Sequence, residues 1–168
     1  MAALAPINLH AWVAEHRHLL RPPVGNHMLH NGDFMVMVVG GPNARSDYHV
    51  NPGEELFYQL QGDIVLKVID DGSPRDIPIR QGQLFLLPAG VPHSPQRPAG
   101  TVGLVVEQPR ASSADHHLRW LCSKCGGVLH ETTFEPVDLG KQIKAMLAEF
   151  NASDDWRTCK RCGTKHPG

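Results

Sequence analysis

Residues 54–96 read EELFYQLQGDIVLKVIDDGSPRDIPIRQGQLFLLPAGVPHSPQ, and this stretch decides the fold. Apolar runs at 55–60, 64–70, 76–79 and 84–87 are short, and several are β-branched. Between them stand Gly62-Asp63, Asp70-Asp71-Gly72-Ser73, Gln81-Gly82 and Pro88-Ala89-Gly90. Gly and Pro at this regular spacing punctuate short strands, which is the pattern of a sandwich or barrel. The Asp-Asp-Gly-Ser segment predicts a hairpin turn. The texture extends both ways. Residues 34–39 form a similar run before Gly40-Gly41-Pro42, and residues 102–108 follow Pro98-Ala99-Gly100.

Outside this β region the pattern changes. Leu9, Trp12, Val13, Leu19 and Leu20 are spaced as on a helix over 9–20, which Pro22-Pro23 ends. A polar loop is expected from there to about Gly32. Residues 111–117 (ASSADHH) read as a linker. The expected organisation is therefore a barrel with an N-terminal helix over 1–110, the linker, and a separate unit over 118–168. That unit holds one helix, in which Leu139, Ile143, Met146, Leu147 and Phe150 form one apolar stripe. Asp138 stands where an N-cap belongs.

Of the 168 residues, 41% are hydrophobic and 20% charged, enough apolar material for a core. Lys+Arg is 16 against Asp+Glu 17, a net charge of −1. The basic excess that drives general phosphate-backbone binding is missing, so no nucleic-acid partner is expected. No apolar run approaches the length of a membrane span. The first twenty residues carry His10, Glu15, His16, Arg17 and His18 and no apolar leader core. The expectation is a cytoplasmic protein without a membrane partner.

The four cysteines form two C-x-x-C-G knuckles, Cys122-Ser-Lys-Cys125-Gly126 and Cys159-Lys-Arg-Cys162-Gly163. A two-residue spacer lets both thiolates of a knuckle face one ion, and the glycine permits the tight turn. Four thiolates close a tetrahedral shell, which suits zinc or a single iron and leaves no position open for chemistry. The knuckles resemble those of rubredoxin. Arg157, Lys160, Arg161, Lys165 and His166 near the second knuckle read as a solvated face.

A second constellation lies in the β region. His49-Val-Asn51-Pro-Gly-Glu54-Glu55 is followed by six residues and Gly62. Gly82 is followed by five residues and Pro88, then Gly90, His93 and Arg97. These spacings resemble the two motifs of the cupin superfamily, small β-barrels (double-stranded β-helices) that hold a metal inside. Asn51 stands where such motifs usually have a second histidine, and Arg97 where they usually have an asparagine. His49, Glu55 and His93 would give two imidazoles and one carboxylate, the set used by non-haem Fe(II) oxygenases. Glu54 competes with Glu55, and the spacing to Gly62 favours Glu55. The other histidines, His116 and His117 among them, are read as surface or internally satisfied residues.

Longer stretches narrow the match. Arg45-Ser-Asp47-Tyr48-His49-Val-Asn51, Glu54-Glu55-Leu-Phe57-Tyr58-Gln59, Gly62-Asp63-Ile-Val-Leu-Lys67-Val, Pro88 to Arg97, and Gly103-Leu-Val-Val-Glu107 resemble the 3-hydroxyanthranilate 3,4-dioxygenases. The resemblance covers nearly the whole chain, including the C-terminal cysteine segment of the bacterial forms. It implies a cytoplasmic homodimer in which Fe(II) on His49, Glu55 and His93 opens the ring of 3-hydroxyanthranilate with O2. The product would be 2-amino-3-carboxymuconate semialdehyde, which leads to quinolinate and NAD or to degradation. It also implies that Arg45, Arg97 and Glu107 line the substrate site beside Glu55. A second iron, or zinc, would sit on Cys122, Cys125, Cys159 and Cys162.

The residue types suit those roles. Arg97 can pair with the substrate carboxylate, Glu107 can take a proton from the amine or hydroxyl, and Arg45 can stabilise negative charge developing during oxygenation. Two other readings compete. One is a metal-binding cupin sensor with a zinc ribbon. The other is a cupin dioxygenase for another aminophenol or catechol.

Overall fold

The computed structural model describes residues 5–22, 25–43, 45–108, 116–135, 137 and 139–168. Helix α1 (Leu9–His16) starts at Asn8, whose side chain accepts a hydrogen bond from the Ala11 N–H. One 3-10 turn (Arg17–Leu19) follows. Val13 and Leu20 then bury against Val38 and Val102, which fixes the segment to the outside of the barrel.

Eleven strands follow. They are β1 (Gly25–Asn31), β2 (Met35–Gly40), β3 (Tyr48–Val50), β4 (Glu55–Gln61), β5 (Ile64–Asp70) and β6 (Ser73–Ile79). Then come β7 (Leu84–Leu87), β8 (His93–Gln96), β9 (Val102–Glu107), β10 (His116–Leu121) and β11 (Val128–Phe134). They build two antiparallel sheets, ordered β1-β2-β9-β4-β7 and β11-β10-β3-β8-β5-β6. This is the mainly β barrel that the turn spacing allows, of the cupin type that the motif resemblance implies. The expected hairpin joins β5 to β6 through Asp71 and Gly72, in unbroken register from Ile64↔Ile79 to Asp70↔Ser73.

Side chains alternate in and out along each strand, as the pleat requires. Ile64, Leu66 and Val68 on β5, Met35 and Met37 on β2, and Leu118 and Trp120 on β10 are all buried. On β4 and β9 the inward faces meet as three opposed pairs, Glu55↔Glu107, Phe57↔Val105 and Gln59↔Gly103. Polar groups thus occupy two of the three inner layers here, which marks this wall as the site rather than the core.

Two expectations are corrected. The polar stretch before Gly32 is not a loop: residues 25–31 form β1, paired with β2. It is an edge strand, so its Asn and His side chains reach solvent without penalty. Nor does the C-terminal segment stand apart. Residues 111–115 of the expected linker lie outside the described residues, but His116 and His117 belong to β10, which pairs with β3. The sheet therefore continues into the cysteine segment.

Helix α2 (Leu139–Ala152) presents the expected stripe. Leu139, Ile143, Leu147 and Phe150 are buried in the same core cluster as the barrel strands. Phe150 stacks on Trp120 at 4.5 Å between ring centres and 10° between planes, an aromatic pair of about 1 kcal/mol beyond its buried area. Asp138 lies outside the described residues. A four-residue helix, α3 (Asp154–Arg157), is capped by Ser153 and leads into the second knuckle.

Candidate active site

Three strands bring the histidine–carboxylate set together. His49 on β3 and His93 on β8 are direct cross-strand partners, so both imidazoles leave the same face. Glu55 opens β4. Its Oε1 lies 3.3 Å from His49 Nδ1 and its Oε2 3.2 Å from His93 Nε2. All three are buried, and one ligand atom from each lies within 4.8 Å of the others. Neighbouring donors on an octahedral ion with bonds of roughly 2.1 Å are about 3 Å apart. The donor chemistry and spacing therefore fit one divalent ion.

The charges support the same reading. Burial works against ionising Glu55, yet the two imidazoles hold its carboxyl well below the usual range. Burial lowers His49. His93 experiences the same penalty, but the Glu55 carboxylate outweighs it and raises its pKa. A carboxylate kept ionised among imidazoles in a dry interior is a standing attraction for a cation.

Asn51 does not point its oxygen at this cluster. The Gly53 N–H donates to its Oδ1 at 2.8 Å. Its Nδ2 donates to Glu55 at 3.0 Å and to Glu107 at 2.5 Å. The amide is thus spent on linking two carboxylates and leaves coordination positions around the triad open.

The candidate substrate residues face the same cavity, which Arg45, His49, Glu55, His93, Arg97 and Glu107 share with apolar walls. Met37, Val39, Phe57 and Val105 come from the barrel, and Leu139 and Ile143 come from α2. The two arginines differ. Arg45 is clamped by the fully buried Asp47, with Nε to Oδ1 at 3.0 Å and Nη2 to Oδ2 at 2.5 Å. Burial alone would lower its pKa, but Asp47 and Glu55 together raise it. No carboxylate among the described residues forms an ion pair with Arg97; its guanidinium donates to Gln59 at 3.3 Å. Burial, then repulsion from Arg45, push it down to about 10. It is therefore a charged, buried cation without a counter-ion, a costly arrangement unless an anion joins it. Glu107 is displaced the other way. Burial first, and the charge of Glu55 second, raise its carboxyl well above the ordinary range.

Sequence reading missed one neighbour of the cluster. His116 is buried and internally partnered, the second of the two readings given for it, and its Nδ1 lies 3.3 Å from His49 Nε2. Only the pairing of β10 with β3 brings it there, and nothing local in the sequence signals that. Gln59 and Asp47 were visible in the quoted motifs but carried no role.

The cysteine knuckles also converge. Cys122 Sγ lies 3.6 Å from Cys162 Sγ, and Cys125 Sγ lies 3.5 Å from Cys159 Sγ. All four sulfurs fall within 4.8 Å of one another. Thiolates on a tetrahedral ion with bonds near 2.3 Å are about 3.8 Å apart, so these sulfurs fit a shared metal. Gly126 and Gly163 take φ of 65° and 72°, the left-handed turn that closes each knuckle. The hydroxyl and backbone of Thr164 push the Cys162 thiol down to about 6. The nearby basic residues are largely answered by acids: Arg157 and Lys165 pair with Asp154, and Lys160 with Asp155.

Comparison with known proteins places this geometry. The model of the 3-hydroxyanthranilic acid dioxygenase family matches residues 1–151. Proteins named 3-hydroxyanthranilate 3,4-dioxygenase are similar over almost the whole chain. The one from Neurospora crassa is 51% identical, covering 95% of this chain and 88% of its own. That from Scheffersomyces stipitis is 53% identical, covering 95% and 94%. That from Xanthomonas campestris is 52% identical, covering 96% and 92%. Among solved structures, a protein from Neisseria meningitidis shares the fold with a TM-score of 0.51 at 18% identity, over 62% of this chain and 100% of its own. A cupin-2 domain containing protein from Shewanella frigidimarina gives a TM-score of 0.48 at 17% identity, over 62% and 94%. The family model spans most of the chain and these relatives are more than half identical to it, so the chain is an enzyme that belongs to the 3-hydroxyanthranilic acid dioxygenase family.

Proposed function

We propose that the barrel cavity binds 3-hydroxyanthranilate and O2 and opens the ring to 2-amino-3-carboxymuconate semialdehyde. The observation that carries this reading is one cavity holding both a two-histidine, one-carboxylate set and a buried arginine that has no carboxylate counter-ion among the described residues. His49, Glu55 and His93 would hold Fe(II). When bound, that ion supplies open positions for an aminophenol and O2, and the electron that O2 needs in order to react.

The chain's own groups do the rest. Arg97 takes the substrate carboxylate, which supplies its missing counter-ion. Glu107 accepts the proton that the hydroxyl or amine releases as the substrate binds. Asn51 holds Glu107 in place relative to Glu55. Arg45, oriented by Asp47, faces the cavity and answers negative charge that develops during oxygenation. Leu139 and Ile143 of α2 complete the apolar wall and limit water.

The four cysteines hold a second iron, or zinc, in a closed structural site. The product feeds quinolinate and NAD formation or degradation. The enzyme acts in the cytoplasm as a homodimer. Supporting association, the outer face of the five-stranded sheet carries Leu84 and Leu86, 60% and 50% exposed, beside Leu56 and Tyr58. Oxygen uptake by Fe(II)-loaded enzyme given 3-hydroxyanthranilate tests the reading. Stoichiometric uptake that disappears in His93→Ala is expected. No uptake by verified Fe(II)-loaded wild type would overturn it.

A further inference from the structure

We infer that Gln59 is a positioning residue that aims Arg97 at the substrate carboxylate while leaving its charge unspent. The inference rests on the functional reading above and assigns the two arginines different tasks.

Gln59 is 1% exposed and faces inward from β4. Its Nε2 donates to the Gln61 carbonyl at 3.1 Å, which fixes the orientation of the amide. The remaining oxygen therefore turns toward Arg97 and accepts from Nη1 at 3.3 Å. The backbone of Arg97 is held independently, since its N–H donates to Asn43 Oδ1 at 2.9 Å. Only the far end of the side chain still needs a guide.

The residue opposite explains how Gln59 and Arg97 meet. Gly103 is the cross-strand partner of Gln59. A Cβ at Gly103 would fall 2.6 Å from Gln59 Oε1 and 2.9 Å from Arg97 Nη1. The missing side chain is the space in which the amide and the guanidinium touch. Gly103 has an ordinary backbone conformation, so this close approach, not chain flexibility, accounts for glycine here.

The nature of the guide matters as much as its position. Asp47 grips Arg45 with both carboxylate oxygens and holds its charge in place. Gln59 has nearly the shape of glutamate but no charge. It orients Arg97 and competes little with an incoming anion, because a neutral acceptor binds a guanidinium more weakly than a carboxylate does. Arg97 is therefore the carboxylate anchor, and Arg45 is a fixed charge. A ligand without a carboxylate gains nothing from the Gln59–Arg97 pair.

The test compares 3-hydroxyanthranilate with 2-aminophenol, which keeps the chelating hydroxyl and amine but lacks the carboxylate. Both are titrated by fluorescence into Fe(II)-loaded enzyme without oxygen, and KM and kcat are then measured in air. Gln59→Glu should weaken 3-hydroxyanthranilate binding by about 30-fold or more and raise its KM in step, because the new carboxylate occupies Arg97. The affinity for 2-aminophenol should stay within about twofold of wild type. Gly103→Ala, which forces the pair apart from the other side, should give the same selective loss. Equal losses for both ligands, or no loss for either, in whichever of the two variants folds would overturn the role of Gln59. Wild type that binds neither ligand would instead overturn the functional reading, and the inference would fall with it.

Discussion

Two regions of this chain gather side chains of the kinds that bind metals, and they do so in opposite ways. The triad draws His49, Glu55 and His93 from three strands onto the inner wall of a barrel. The knuckles draw four cysteines from two tight turns near the end of the chain. Both sets are preorganised, with donor atoms already at ligand spacing. They differ in what fills the next position. Among the knuckles it is another thiolate, so the shell is closed. Around the triad it is Asn51, whose amide is tied to Gly53, Glu55 and Glu107 and has nothing left to offer an ion. Reactivity at a metal depends on the neighbour that declines to ligate as much as on the residues that do.

The comparison can be broken by attacking each region in turn. His93→Ala should abolish turnover, by about a thousandfold or more. Metal analysis should show loss of the barrel ion with the cysteine-bound ion retained. Loss of both would mean the sites are not independent. Arg97→Lys keeps a charge but loses the planar fork, and should lower kcat/KM by about a hundredfold, mainly through KM. A matching fall in kcat with KM unchanged would argue against a carboxylate anchor.

At the other region, Cys122→Ser should act on the fold and not on the chemistry. The melting temperature should fall by about 5–10 °C while the folded remainder keeps turnover within a few-fold of wild type. Full stability with selectively lost turnover would give the knuckles a catalytic role.

The smallest effect concerns Glu107. Because its folded-state pKa is raised, it contributes stability that is fully present below the unfolded value near 4.5 and lost as pH rises through the folded value. Metal-free wild type should therefore lose a few degrees of melting temperature relative to Glu107→Gln as the pH rises above the ordinary carboxylate range. The opposite slope would mean that the fold does not raise the pKa of this carboxyl.

Much of this was legible before any coordinates. Gly and Pro between short apolar runs announced the strands from β4 to β7, because turns demand those residues wherever they occur. The motif spacing picks out His49, Glu55 and His93, since Glu55 and His93 open strands that the turns define and His49 sits in the short strand just before them. What stayed hidden depended on pairing between distant segments. The strand β1 is polar because it is an edge, so it reads like a loop. The strand β10 carries His116 beside His117, which obscures its alternation, and its place next to β3 is set by contacts from elsewhere in the sheet. The roles of Asn51 and Gln59 lie in which way an amide turns, and composition says nothing about that.

The pairing of β3 with β10 also has a consequence for synthesis. A ribosome that has released residues up to Glu107 has exported the whole triad, Arg97 and Glu107, yet the three-residue β3 still lacks one of its two neighbours. That neighbour, β10, emerges later together with the first knuckle, and α2 later still. The residues of the candidate site are therefore made early, and the nascent barrel has an unpaired edge beside His49 until the C-terminal segment arrives.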